Sequence, residues 1–558
     1  MANECGYFRY DDIVVGAKEQ AKFSTENELQ PGSTVEMLKN GVEPYNFASL
    51  ETDTYITDAP KRFADDSSLG FVSSSVSDEN GNFANPQSFS IRFDDETLVT
   101  TYGITIYSEN ILQVNVRMIV MDASGPRFIQ YKFQGTQKNE FFSWDAVQTK
   151  SIIVLVGSID QPGAFLRIYN IELGRTILFE ESNLLSARVH TTFPLTGESI
   201  EYNTLDLQVL YDRVHGYFFQ RRQPIVFMDA DGTPRQTFYV QQGETVETSS
   251  GLQTAYTAKI SAYDVIESME DTFLGGMYES VPVQSLLADI MGIIPYTVQG
   301  ADGIVMTGHI PITTRRKALA LVCRGCNLRV YRGASIVIQP LEKTGNSVYD
   351  RQNIVDAPTV DVRTEIVSLT LQEHNYSKGT EEKELYHWYI SKTYPVTITW
   401  SDPVHTLKAY EVTGVDANGN DIISEAESKA VTFDTVNANY CIVTNTSDNK
   451  IVIRGHLYVD STVNYTKSES QSQAYDSVNT VTIDKQTILS DAQAVLNMLY
   501  EIYTRTATVT SQYADVANAI GQKQSTPYAG QCAEVLGNLR TVTSVNDTLC
   551  GLYDMEAI

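Results

Sequence analysis

Short segments in which apolar and polar residues alternate recur along most of the 558 residues, and this period of two constrains the fold more than any other feature of the chain. Alternation sends successive side chains to opposite faces of an extended backbone, so each segment reads as a strand with one face in a core. Between residues 48 and 178 the segments are SFSIRF (88 to 93), YGITIY (102 to 107), LQVNVRMIVM (112 to 121), RFIQYKF (127 to 133), SIIVLVG (151 to 157) and FLRIYNIELG (165 to 174). DENGN at 78 to 82, DASG at 122 to 125 and QPG at 161 to 163 supply the Gly, Asn and Pro that let a chain reverse. Strands so regularly spaced predict a sandwich or jelly roll. A second stretch, 179 to 265, contains LLSARVHTTF, TLDLQVLY and TAYTAKISAYDVI, with Asp231-Gly232 turning PIVFM back into RQTFYV as a hairpin. It reads as a small antiparallel barrel.

Helical spacing then interrupts the strands. VPVQSLLADIMGII predicts a helix with Pro282 in its first turn and Leu286, Leu287, Ile290 and Met291 on one face. ITTRRKALALVCRGCNLRVY predicts another, capped by Thr313 or Thr314, buried through Ala318, Leu319, Leu321 and Val322, and ended by Gly325. Two short strands around Arg332-Gly333 complete a small α/β module. Strand signals return in IVSLTLQEHNYS, ELYHWYIS, YPVTITWS, YCIVTN and KIVIRGHLYVD, and a last amphipathic helix follows in ILSDAQAVLNMLYEIYTRTATV. Ser490 is its expected cap, and Val495, Leu496, Leu499, Ile502 and Tyr503 its core stripe. The predicted fold class is therefore mainly β with smaller α/β parts and several domains, a length this great being too much for one core. The expected divisions are a packing segment (1 to 47), a jelly roll (48 to 178), a first tube-like β-barrel (179 to 265), the α/β module (266 to 345), a second tube-like β-rich domain (346 to 484) and a closing helix and segment (485 to 558). No repeat of fixed period stands out.

Composition supports strands and narrows the partners. Tyr (32) far outnumbers Trp (3), and runs of Val, Ile and Thr suit a half-buried pleated surface. A formal charge of −28 repels a phosphate backbone, so sequence-specific nucleic acid binding is disfavoured. The one basic cluster, Arg315, Arg316 and Lys317, falls on the first turn of a predicted helix. Six cysteines make no disulfide scaffold at this length, there is no signal-peptide pattern at the N-terminus, and no run of apolar residues is long enough to span a bilayer.

The search for chemistry yields no catalytic, cofactor or metal signature. Cys323 and Cys326 have zinc-like spacing, but no second pair lies at a fitting distance. Residues 416 to 427, DANGNDIISEAE, place Asp416, Asn418, Asn420 and Glu427 at calcium-loop positions, yet Asp421 stands where that loop requires Gly. A polar hairpin tip is the simpler reading. His190, His215, His309, His374, His387, His405 and His456 fit no hydrolase spacing. Carboxylate pairs such as Asp65-Asp66 and Asp94-Asp95 follow from the acidic composition, and phosphate-loop and dinucleotide fingerprints are missing.

Three stretches carry a family resemblance. FASLETDTYITD, LGFVSSSVSDENGNFANPQSFSIRF and YGITIY are similar to the jelly-roll module near the start of many prophage tail proteins. Residues 281 to 338 resemble the α/β module of phage tail hubs, and IDKQTILSDAQAVLNMLYEIYTRTATV resembles the late hub helix. The order of segments thus resembles the bacteriophage tail hub or tail-tip family, which includes baseplate hubs and the N-terminal part of siphophage tail-associated proteins.

That resemblance implies a structural, non-enzymatic virion protein: a homotrimer that closes the tail tube, adapts sixfold to threefold symmetry and forms the channel for DNA ejection. Its implied neighbours are a distal tail protein or tube ring above, a tape measure protein in the lumen, fibre or receptor-binding proteins, and passing DNA held without specific contacts. Any cell-wall cleavage or long fibre is expected of a partner. A rival expectation is a host-surface carbohydrate-binding tail protein, in which Tyr55, Tyr102, Tyr107 and Trp144 of the jelly roll stack on cell-wall glycan. A tail-associated peptidoglycan hydrolase is the third.

Overall fold

The computed structural model describes residues 6–14, 17–24, 30–31, 61–62, 69–93, 98–108, 111–122, 125–135, 140–210, 220–250, 253–345, 347–349, 354–362, 366–468, 480–505, 507–514, 528–536, 538–547 and 552–558. The chain is mainly β with a small helical part, as the alternation predicts. A ten-stranded sheet occupies the jelly-roll region. Its longest strand, Glu140–Ile159, pairs through its first half with Val99–Ser108 and through its second with Asn82–Arg92 and Ile111–Asp122. Register breaks near Ser143 and Thr149 let this one strand serve both groups. Ile91, Ile104, Val116, Ile152 and Val154 fill the core between them.

Helix Val283–Met291 follows Pro282, and Leu286, Leu287, Ile290 and Met291 are all buried. Helix Arg315–Gly325 is capped by Thr314, whose hydroxyl accepts from the Lys317 N–H. Ala318, Leu319 and Val322 are buried as expected, whereas Leu321 is only half-buried and Ala320 takes the inner position. The basic cluster is structural. Arg315 donates to the Asp289 and Ile290 carbonyls at the end of the preceding helix, and Arg316 pairs with Glu270 at 2.6 Å. Asp491, not Ser490, caps helix Ala492–Tyr503, accepting from Ala494 N–H. The Ser490 hydroxyl instead donates to Gly325, tying this helix to the previous one.

Two arginines fasten the α/β module to the rest. Arg329 donates to the Leu195 carbonyl at 2.9 Å, and Arg332 donates to the Thr192 and Glu201 carbonyls and pairs with buried Asp264 at 3.2 Å. Arg324 is buried beside them.

Residues 366–468 and 480–483 form a five-stranded sheet built on the long antiparallel pair Ser368–Trp388 and Ile451–Ser468, with a three-stranded sheet packed over it. The calcium-like segment is a hairpin tip: the Asp416 carboxylate accepts from the Asn418 and Asn420 N–H groups, and Gly419 has φ of 88°.

One expectation is corrected outright. Neither tube-like region closes on itself: among the described residues no sheet returns to its first strand. Five strands between 184 and 263 belong to an open thirteen-stranded sheet, which Tyr7–Asp12 and Arg175–Phe179 extend at one end and six strands from 347–362 and 507–557 at the other, so the expected second tube-like region gives it only its opening strands. Strand edges there find partners in another part of the chain before they can meet each other.

Candidate functional site

The long sheet is built from the same four-strand unit twice. In the first unit the strands are Leu184–Thr192, Thr204–Leu210, Pro234–Ser250 and Gln253–Tyr263; in the second they are Thr359–Val362, Ala507–Ala514, Asn538–Asp547 and Leu552–Ala557. In both, the third strand pairs with the fourth, the fourth with the second and the second with the first, always antiparallel. Both third strands carry a register break at the same place, between Val240 and Gln242 opposite Ala262 and Ser261, and between Val542 and Ser544 opposite Ala557 and Glu556.

A buried glutamine repeats in the same way. Gln223 Oε1 accepts from the Tyr10 hydroxyl (2.7 Å) and the Gln220 N–H (3.0 Å), and Gln531 Oε1 accepts from the Tyr349 hydroxyl (2.8 Å) and the Tyr528 N–H (3.4 Å). Each glutamine also takes the N–H of the third strand, Val240 or Val542, on its own carbonyl. The residue before each has positive φ, 69° at Arg222 and 100° at Gly530, and each donates its N–H back to Val240 or Val542. Tyr10 and Tyr349 reach the glutamine from strands of opposite direction, since Tyr7–Asp12 runs antiparallel to its neighbour and Ser347–Tyr349 parallel. The two cores are separate: Leu205, Leu207, Val209, Phe238 and Ile260 in one, Val509, Tyr513, Val542, Val545 and Met555 in the other.

The units join edge to edge. The first strand of unit one pairs with the third strand of unit two, Val189 opposite Asp547, His190 opposite Asn546, Thr191 opposite Val545 and Thr192 opposite Ser544. Arg188 Nε donates to Asn546 Oδ1 at 3.0 Å across this seam, and Arg235 reaches over it to Asp547 at 3.3 Å.

The same two edges recur at the outer sides. Pro224–Met228 covers the third strand of unit one only as far as Tyr239, Val240 bonds Arg222 and Gln223, and among the described residues no strand pairs with that side beyond Val240. The first strand of unit two, Thr359–Val362, is exposed at all four positions and has no outer partner among the described residues. Unpaired N–H and C=O rows are templates for another strand.

The sheet face away from the cores is polar. Arg188, Asp206, Gln208, Lys259, Gln242, Glu244, Asp361, Gln512, Asp554 and Glu556 lie there by strand register, and carboxylates outnumber cations.

The residues named as glycan-stacking candidates are placed as follows. Tyr55 lies outside the described residues. Trp144 is 7% exposed, its indole N–H donating to the Thr101 carbonyl and its ring stacked on Tyr131. Tyr102 packs edge-on against Phe141, and burial beside Asp12 raises its phenol pKa. The Tyr107 hydroxyl donates to Glu172 at 3.2 Å. Tyr102 and Tyr107 stand five apart on one strand and so face opposite ways.

Cys323 and Cys326 are buried free thiols. The Cys326 thiol donates to the Val322 carbonyl, and burial pushes its pKa up to about 12. Several histidines gather along the long strand pair of 368–388 and 451–468. His374 bonds Asp460 and the Asp484 carbonyl, His387 lies between Glu384 and Asp421, and His405 stacks on His456. No group of three or more His, Cys, Asp or Glu suited to a metal occurs among the described residues.

Gln223 and Gln531 carry no sequence signal. Their equivalence is hidden because unit two holds residues 366 to 505 between its first and second strands, which destroys any fixed period.

No family model and no curated protein sequence matches the chain. Among solved structures it is similar to the tail protein from Neisseria meningitidis MC58, at 10% identity over 69% of this chain and 93% of that one, with a TM-score of 0.38. It is also similar to the E. coli c3393 protein, a type VI secretion component described as resembling the T4 bacteriophage tail proteins gp27 and gp5. Identity there is 6% over 67% of this chain and 73% of that one, with a TM-score of 0.29.

Proposed function

We propose that this chain is a structural subunit of a phage tail tip, three copies of which close into a ring around a channel. The observation that carries the reading is the seam. One chain already holds two copies of the unit joined by an edge contact, and among the described residues both edges of that contact stand open at its ends. A head-to-tail contact of this kind closes into a ring when its rotation divides the circle. Two units per chain make a trimer quasi-sixfold, which suits a subunit that adapts a sixfold tube to a threefold tip.

The dimensions agree with a channel. Eight strands from each of three copies, spaced about 4.8 Å apart and tilted by about 40°, would enclose a backbone diameter of roughly 50 Å, wide enough for duplex DNA. In that arrangement the cores lie outward and the acidic polar face lines the lumen, so that a passing phosphate backbone is repelled rather than held. A tube ring above, a tape measure protein within the lumen, and fibre or receptor-binding proteins below are the partners such a subunit requires. The role is scaffolding and not catalysis.

Native mass measurement of the purified chain, with imaging of the tail tip in intact particles, tests this. Three copies around an axial channel are expected, and a monomer in both settings, with no channel, overturns the proposal.

A further inference from the structure

Because the seam inside one chain is a worked example of the contact, it also specifies the contact between chains. Matching the two register breaks sets Val240 against Val542, and therefore Gly243, Glu244 and Thr245 against Val545, Asn546 and Asp547. Carrying that match through the fourth and second strands sets Val189, His190 and Thr191 against Val360, Asp361 and Val362. In the seam, Val189 faces Asp547, His190 faces Asn546 and Thr191 faces Val545. We propose that strand Thr359–Val362 of one copy adds antiparallel to strand Pro234–Ser250 of the next, with Val360 opposite Thr245, Asp361 opposite Glu244 and Val362 opposite Gly243. The partner is a second copy of this chain, so the inference rests on the ring reading above and deepens it.

Three observations bear on the pairing independently of the match. Val360 and Val362 are 50% and 74% exposed, apolar residues on a bare edge that a monomer leaves in water. Pro224–Met228 ends its pairing at Tyr239, and among the described residues no strand covers the required stretch of the third strand on that side. In unit two the corresponding strand is divided in the same way: Cys532–Val535 covers Asn538 to Thr541, and the seam covers Ser544 to Asp547.

The register has a consequence for charge. Asp361 and Glu244 lie on the polar face, where the seam has the neutral or basic His190 against Asn546, so each contact between copies sets two carboxylates opposite each other. Like charges directly opposed weaken a strand pair. Glu244→Lys alone and Asp361→Lys alone should therefore each tighten association several-fold, while the double variant loses that gain because it opposes two cations.

The direct test is oxidation of the full chain carrying Val360→Cys and Thr245→Cys. Directly opposed positions bring Cβ atoms about 4.5 to 5.5 Å apart, close enough for a disulfide after a small adjustment. The expected result is a reducible three-chain product as the end point, missing from either single variant. If native mass shows a trimer but the double variant cross-links no more than the single ones, this register is wrong and the ring stands. If a ladder grows past three chains, the contact does not close and the ring is wrong. If the chain is a monomer throughout, ring and register fall together. The charge variants offer a second readout that needs no disulfide: single variants without effect on the association constant overturn the register.

Discussion

Replacing Gln223 by Met should cost more stability than the same change at Gln531, because the two glutamines hold different numbers of buried partners. Gln223 is fully buried and satisfies the Tyr10 hydroxyl, the Gln220 N–H and, through Nε2, the carbonyls of Asp11 (2.8 Å) and Ile13 (2.8 Å). Gln531 satisfies the Tyr349 hydroxyl, the Tyr528 N–H and, through Nε2, the Ser347 hydroxyl oxygen, one partner fewer. Methionine keeps the volume and deletes the polar ends, so the partners are orphaned without a cavity. At about 1 to 3 kcal/mol for each orphaned buried group, partial relaxation leaves an expected loss of about 4 to 6 kcal/mol for Gln223→Met and about 3 kcal/mol for Gln531→Met. Amide hydrogen exchange followed by mass spectrometry separates the units. Gln223→Met should speed exchange in Pro234–Ser250 by roughly a thousandfold or more, since about 1.4 kcal/mol is a factor of ten. Gln531→Met should act on Asn538–Asp547 by about a hundredfold. Equal effects would refute this accounting of partners, and an effect below about 1 kcal/mol or loss of protection in the opposite unit would refute the reading of each glutamine as the hub of its own unit.

Arg332→Met strands the buried Asp264 carboxylate and should destabilise the junction between the α/β module and the long sheet by about 3 to 5 kcal/mol, read by urea unfolding; adding Asp264→Asn should recover part of it. Burial lowers the His309 pKa below its ordinary 6.5, opposed by its bond to Asn439 and by the Asp460 charge. The fold therefore favours the neutral ring: its contribution is complete above 6.5 and is lost as pH falls from there through the depressed value. Urea midpoints should drop between pH 7.5 and 5.5, and His309→Gln should flatten that slope. Reversing Asp206, Asp554 and Glu556 to Lys should slow DNA release from assembled particles; unchanged ejection kinetics would count against an acidic lumen.

Residue order alone determined a great deal. The alternation in TLDLQVL decides that Leu205, Leu207 and Val209 face a core and Asp206 and Gln208 do not. Helical spacing placed Val283–Met291 and Arg315–Gly325 to within a residue or two, since face and period are local properties that a few side chains settle. Even so, the cap of the last helix went to Asp491 over Ser490, a choice decided when Ser490 found the Gly325 carbonyl of another helix.

Only the tertiary structure decided which strands lie side by side. Strands pair through N–H and C=O groups that nearly every residue carries alike, so alternation reveals which face a strand buries and not whose edge it meets. That is why the union of Leu184–Thr192 with Asn538–Asp547, and the return of a Tyr–Gln hub on the far side of a long insertion, leave no trace in the order of residues.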